Sequence, residues 1–233
     1  MLGRFVELVP TAAPMQIVRC TIDLFRPIPL RPLTVSTEVR REGRRIQVVD
    51  AFLRDGEVEL GRATALKIRT TDVDLPPGMD QWIEPAGPEG VEVLSWSGYG
   101  DRSLKRFHYD AVEIRSIDDS FASNRPGLSW FRLKCPLVEG EDLTPFTRLA
   151  TLADMANGNA RAIDPEQWLF VNPDITLYCH RLPQGQYVGM HSAAQQQATG
   201  IGVTDTWVFD ESGAVGRINQ AQLIEARRGQ SER

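Results

Sequence analysis

Few side chains in this sequence are of a type and spacing that could do chemistry. The chain contains three histidines and three cysteines. It has no GxSxG nucleophile turn, GxxxxGK[ST] phosphate loop, GxGxxG turn or HExxH pair. Gly200-Ile201-Gly202 precedes a strand-like run and lacks the helix N-terminus on which a dinucleotide's phosphates would rest. Cys179 and His180 are neighbours on a strand-like run, so their side chains point to opposite faces and cannot share a proton. His108, His180 and His191 are too scattered for a multi-histidine metal site. Carboxylate and amide chemistry remains.

Asp154 is the carboxylate in the most unusual place. It lies four residues after Ala150 and eight after Phe146, among residues spaced as one face of a helix. Inside an apolar stripe its charged form would be desolvated and its pKa raised toward the range of a general base. At the edge of the stripe it would reach solvent or cap a nearby amide. Gln220 shares an alternating strand face with Ile218 and Ile224, so an amide stands where burial is expected. Asn172 precedes Pro173 and Asp174 at the start of the same strand-rich region. Strict alternation puts Asn172 opposite the core-facing Ile175 unless Pro173 disturbs the pleat.

The element that must hold Asp154 is a helix opened by Thr144 as N-cap and Pro145 at the first helical position. Phe146, Leu149, Ala150, Ala153 and Asn157 trace its stripe, and Gly158 and Pro165 end it. Ala150, Ala153, Ala156 and Ala160 leave room for a curved sheet to approach closely. Before the helix, 107–117 and 128–137 read as strands. After it, from about Val171, short apolar runs alternate with turns at Pro183-Gln184-Gly185, near Gly200 and at Asp210 to Gly213, an antiparallel meander.

A similar meander runs from Val18, with turns at Pro27 to Pro29, Glu42-Gly43 and Asp55-Gly56. Thr21 and Thr176, Arg26 and Arg181, Asp55 and Asp210, and Gly61-Arg62 and Gly216-Arg217 are all 155 positions apart, with no gap needed. The pattern reads as an internal repeat. Under this offset Gln220 falls on Ala65 and Asn172 on Ile17, so the two candidate amides belong to the second copy alone; drift between copies would give the same pattern. Met1 falls on Ala156, so the first copy lacks its leading strands and most of its helix, with Leu2–Val9 as a helical remnant.

At 233 residues, 42% of them apolar, the chain can bury a substantial core. A net charge of −5 provides no broad basic field, so nucleic acid is not an expected partner. No stretch approaches the roughly 20 apolar residues of a membrane span. Three cysteines in no close pattern, and a start unlike a secretory signal, point to a reducing, cytoplasmic setting.

Taken together, Arg26 to Leu30, Gly43 to Val48, Leu152-Ala153-Asp154-Met155-Ala156-Asn157-Gly158, Asn172-Pro173-Asp174-Ile175-Thr176, His180-Arg181 and Gly216 to Gln220 resemble the thioesterase-like superfamily related to bacterial acyl-CoA thioesterase II. The resemblance implies an α+β double hot-dog, two antiparallel sheets each wrapped around a central helix. It implies no metal or organic cofactor, and a water-activating Asp, Thr and Gln in the C-terminal hot dog. Asp154 and Gln220 match two of these, and Asn172 stands where the Thr would be. The family's leading strands, and a helix beginning with a His-Gly-Gly-like turn, find no match. The expected organisation is a truncated N-terminal repeat at 1–74, a linker at 75–105, a complete repeat at 106–228 and a tail at 229–233. The expected activity is hydrolysis of an acyl-CoA to free acid and coenzyme A, with Asp154 activating water and Gln220 and Asn172 orienting it, in a homo-oligomer. The alternative is a non-catalytic acyl-CoA or acyl-chain binding protein of the same fold.

Overall fold

The computed structural model describes residues 1–76, 78, 86–95, 106–117, 126–160 and 163–227. The expected tail at 229–233 and linker positions 77, 79–85 and 96–105 lie outside these. A short helix, α1 (Leu2–Leu8), precedes four strands, β1 (Met15–Leu24), β2 (Thr34–Arg41), β3 (Ile46–Asp55) and β4 (Val58–Arg69). A single π-turn (Phe107–Ala111) leads into β5 (Val112–Ser116) and β6 (Gly127–Leu133). Two helical segments, α2 (Pro145–Leu152) and α3 (Met155–Asn159), precede β7 (Trp168–Val171), β8 (Asp174–Cys179), β9 (Val188–Gln196), β10 (Ile201–Asp210) and β11 (Gly213–Ala226).

The strands alternate as their sequences require: Gln47, Val49, Ala51 and Leu53 of β3 are buried while their neighbours are not. Gly56, at φ +59°, makes the two-residue hairpin between β3 and β4 possible. All pairings are antiparallel, in the order β2-β3-β4-β1-β8-β11-β10-β9-β6-β5, with β7 added beside β11. Of the two arrangements open to the sheets of the two repeats, continuous or packed side by side, the structure has the continuous one. The sheets join where β1 meets β8, with Thr21 opposite Thr176 and Ile22 opposite Ile175. This pairing satisfies backbone groups that two separate sheets would leave open as edges.

Both helical regions lie against this sheet. Thr144 caps α2 by accepting a hydrogen bond from Thr147 N at 3.0 Å, and Pro145 takes the first turn. Phe146, Leu149, Leu152, Ala153 and Ala156 are buried. Ala150 also meets α1: a Cβ on Gly3 would come within 2.9 Å of the Ala150 Cβ, so this pair sets the close approach of α1 to α2. Glu7 Oε2 ties the two helices by accepting from the Thr144 and Thr147 hydroxyls at 2.6 and 2.7 Å. The one continuous helix expected is instead broken at Ala153-Asp154, where Ala156 N bonds back three residues to Ala153 O at 3.3 Å. The segment expected as a strand over 107–117 opens as the π-turn, with the strand confined to Val112–Ser116.

Candidate active site

The break between α2 and α3 is what presents Asp154. The buried face runs through Leu149, Leu152, Ala153 and Ala156, which leaves Asp154 beyond its edge and exposed. Of the two placements open to it, desolvated within the stripe or at its edge, Asp154 takes the edge. Its oxygen is held by an amide: Asn172 Nδ2 donates to Asp154 Oδ1 at 3.0 Å. Asn172 can reach it because Asn172 and Pro173 fall between β7 and β8, outside either strand's alternation. Pro173 O accepts from Leu24 N at 2.7 Å, anchoring this interruption to β1. His108, on the π-turn, lies within electrostatic reach of Asp154. Burial and Arg106 push its pKa down, against the charges of Asp110 and Asp154.

Behind Asn172 the amides continue. Asn157 Nδ2 donates to Asn172 Oδ1 at 3.1 Å and to Phe170 O at 3.2 Å, and its Oδ1 accepts from Gln222 Nε2 at 2.7 Å. Gln222 Oε1 in turn accepts from Gln196 Nε2 at 3.1 Å. Sequence reasoning singled out neither Gln222 nor Gln196, and took Asn157 only as a stripe position. The available signal was that Gln222 shares the inward face of β11 with Gln220.

Of the three residues singled out, Asp154 and Asn172 are in contact, whereas Gln220 forms no hydrogen bond with either. Gln220 is 1% exposed, and neither its Nε2 nor its Oε1 has a hydrogen-bond partner among the described residues. Across the ladder it faces Thr204, whose buried hydroxyl is likewise without a partner among them.

Asp154 borders a cavity of about 620 Å³, within the range of ligand-binding clefts. Its walls are mostly apolar: Phe5 from α1, Ile22 and Leu24 from β1, Val35 from β2, Leu53 from β3 and Ile175 from β8. Thr147 and Thr151 accompany the carboxylate on the α2 side. A second cavity, of about 500 Å³, is lined by charged groups including Arg132, Lys134, Glu141 and Arg148, and does not include Asp154. Of these two, the apolar one joins the Asp154 carboxylate to a space suited to a hydrocarbon chain.

Comparison with known proteins accords with that chemistry. The family model described as acyl-CoA thioesterase C-terminal domain matches residues 86–224, and that of the acyl-CoA thioesterase N-terminal domain matches 1–68. The chain belongs to the acyl-CoA thioesterase family. Similar solved structures include a putative thioesterase II from Thermobifida fusca, with a TM-score of 0.71 at 13% identity, covering 97% of this chain and 84% of that one. An acyl-CoA thioesterase II from Mycobacterium marinum aligns with a TM-score of 0.70 at 14% identity, over 97% and 86%. A hot-dog protein from Alicyclobacillus acidocaldarius aligns with a TM-score of 0.71 at 14% identity, over 98% and 84%. At these identities the structures establish a shared hot-dog fold. No curated protein sequence matches the chain. Among the described residues, no helix of this thioesterase-family chain is long and apolar enough to cross a membrane.

Proposed function

We propose that the chain hydrolyses acyl-CoA thioesters, with Asp154 as general base. The observation that carries this reading is a carboxylate held by an amide at 3.0 Å on the border of an apolar cavity of about 620 Å³. The acyl chain occupies the cavity and the thioester carbon lies near Asp154. Asp154 takes a proton from water as the water oxygen bonds to the carbonyl carbon. The carbon–sulfur bond then breaks, and the proton passes to the coenzyme A thiolate. Asn172 and Gln220 orient the water, Gln220 with amide atoms that no described residue engages. No covalent acyl-enzyme is required, and no cofactor enters.

Residues 1–74 and 106–228 are read as two copies of one hot-dog unit. The register supports this: β2-β3-β4-β1 on one side of the junction is matched by β9-β10-β11-β8 on the other, and Thr21 pairs with its own counterpart, Thr176. The glycines agree as well. A Cβ on Gly61 would press on Asp23 O at 2.9 Å and one on Gly216 on Tyr178 O at 1.9 Å, contacts related by the same offset.

The test is thiol release from acyl-CoA esters of several chain lengths. Asp154→Asn keeps the size of the side chain but cannot accept the proton, so turnover should fall by about 10²–10⁴ while binding persists. Because Asp154 is exposed, the substitution should leave stability within about 0.5 kcal/mol. Full turnover in Asp154→Asn, or binding without any release by the wild type, replaces the hydrolase with the binding-protein reading. A cytoplasmic homo-oligomer completes the proposal. Ile201, Leu223 and Val171, in register across β10, β11 and β7 and all more than half exposed, support self-association, which light scattering measures.

A further inference from the structure

We propose that Asn157 is a positioning residue for the proposed hydrolysis, acting through Asn172 to fix which way the Asp154 carboxylate is held. The inference rests on the Asp154 reading above and adds to it the direction of the amide chain behind it.

Four amides stand in line, Gln196, Gln222, Asn157 and Asn172, and each donates to the next until the last donates to Asp154. The acceptor-only groups at defined points determine this direction. Phe170 O can only accept, so Asn157 must present its nitrogen on that side, where Asn172 also lies. Asn172 therefore turns its oxygen to Asn157 and its nitrogen to Asp154, whose carboxylate also only accepts. A single reversed amide would place two oxygens or two NH₂ groups in contact. Donors aligned in series polarise one another, so the last N–H is a stronger donor than an isolated amide. One carboxylate oxygen, Oδ1, is occupied in this way, which leaves Oδ2 for water.

The chain is buried where it is anchored and open where it ends. Gln222 is 3% and Asn157 7% exposed, while Asp154 is exposed. Gly202 makes the anchorage possible: it is paired with Gln222 across the ladder, and a Cβ there would come within 2.6 Å of Gln222 Oε1. The glycine that fails as part of a nucleotide motif thus clears space for the second amide of the chain.

Asn157→Asp is the decisive variant, since it keeps the shape but removes both donors. Asn172 must then turn its nitrogen inward and present its oxygen to Asp154. The expected result is a kcat lower by about 10², the scale of a misplaced reacting group, with KM within twofold. Gln222→Leu, which places no charge in the interior, should lower kcat by roughly fivefold, the worth of one neutral hydrogen bond. In an Asn172→Ala background Asn157→Asp should cost less than a further twofold, because the link it acts through is gone. A merely structural role would instead make the two losses multiply. Asp154→Asn is assayed alongside. If it loses turnover while Asn157→Asp does not, or while the losses with Asn172→Ala multiply, the positioning proposal alone is overturned. If Asp154→Asn turns over normally, the site reading and the proposal fall together.

Discussion

Gln220 poses the sharpest question at the scale of single residues. A buried amide whose two polar atoms find no partner among the described residues carries a desolvation cost of about 1–3 kcal/mol. A fold tolerates that cost where the group serves a ligand. Gln220→Leu, close in size, should therefore raise stability by about 1 kcal/mol, a rise of roughly 2–4 °C in Tm for a chain of this length. Turnover should fall, by less than in Asp154→Asn, because a water-orienting group is lost and the base is kept. Thermal melts and thiol release measured on the same preparation check both halves. Unchanged turnover with higher stability would remove Gln220 from the machinery.

Among the elements, β5 and β6 show how a charged group is held at the sheet's end. Glu113 lies on β5 and is mostly buried, and burial alone would raise its pKa. Hydrogen bonds from Tyr187, Arg132 and Arg115 overcome this and hold it at about 2, below the usual 4.5. Tyr187 donates at 2.6 Å and Arg115 at 2.9 Å, with Arg132 on the other oxygen. A carboxylate whose folded pKa is depressed adds stability that is fully present above about 4.5 and is lost as pH falls toward about 2. Unfolding free energy followed by urea titration from pH 6 to pH 2 should decline through that window. Glu113→Gln should lower stability by about 2 kcal/mol at pH 7 and flatten the acid decline. An equally steep decline in the variant would assign it to other groups.

Over the whole molecule, the β1–β8 junction makes both halves parts of one sheet. All five tryptophans lie beyond residue 75 in the sequence, and the described ones, Trp130, Trp168 and Trp207, belong to β6, β7 and β10 of the later part of the chain. Val49, fully buried in β3, is far from them in sequence. Val49→Ala should destabilise by about 1–3 kcal/mol and move the tryptophan-detected midpoint together with the circular-dichroism midpoint. Separated midpoints would mean that the halves unfold independently despite the shared ladder.

The sequence by itself determined the local structure: strands from their period of two, the Thr144 cap and Pro145 start of α2, the hairpin at Gly56, and the family that the whole set of motifs resembles. These depend on neighbours in the chain, which a sequence displays. It also supplied Asp154 and Asn172 as candidates, from residue type and the resemblance. Only the tertiary structure decided that Asp154 is exposed, because the turn at Ala153 that ends α2 depends on packing against the sheet and α1. Asn172 turning toward Asp154 depends likewise on Pro173 interrupting β7 and β8 and being tied to β1. The amide line from Gln196 joins residues from β9, β11, α3 and the β7–β8 break, so no spacing along the chain could reveal it. Whether the sheets of the two repeats merge or only pack side by side was equally open in the sequence, because pairing between distant edge strands is settled by which backbone groups are left to satisfy once each meander has formed.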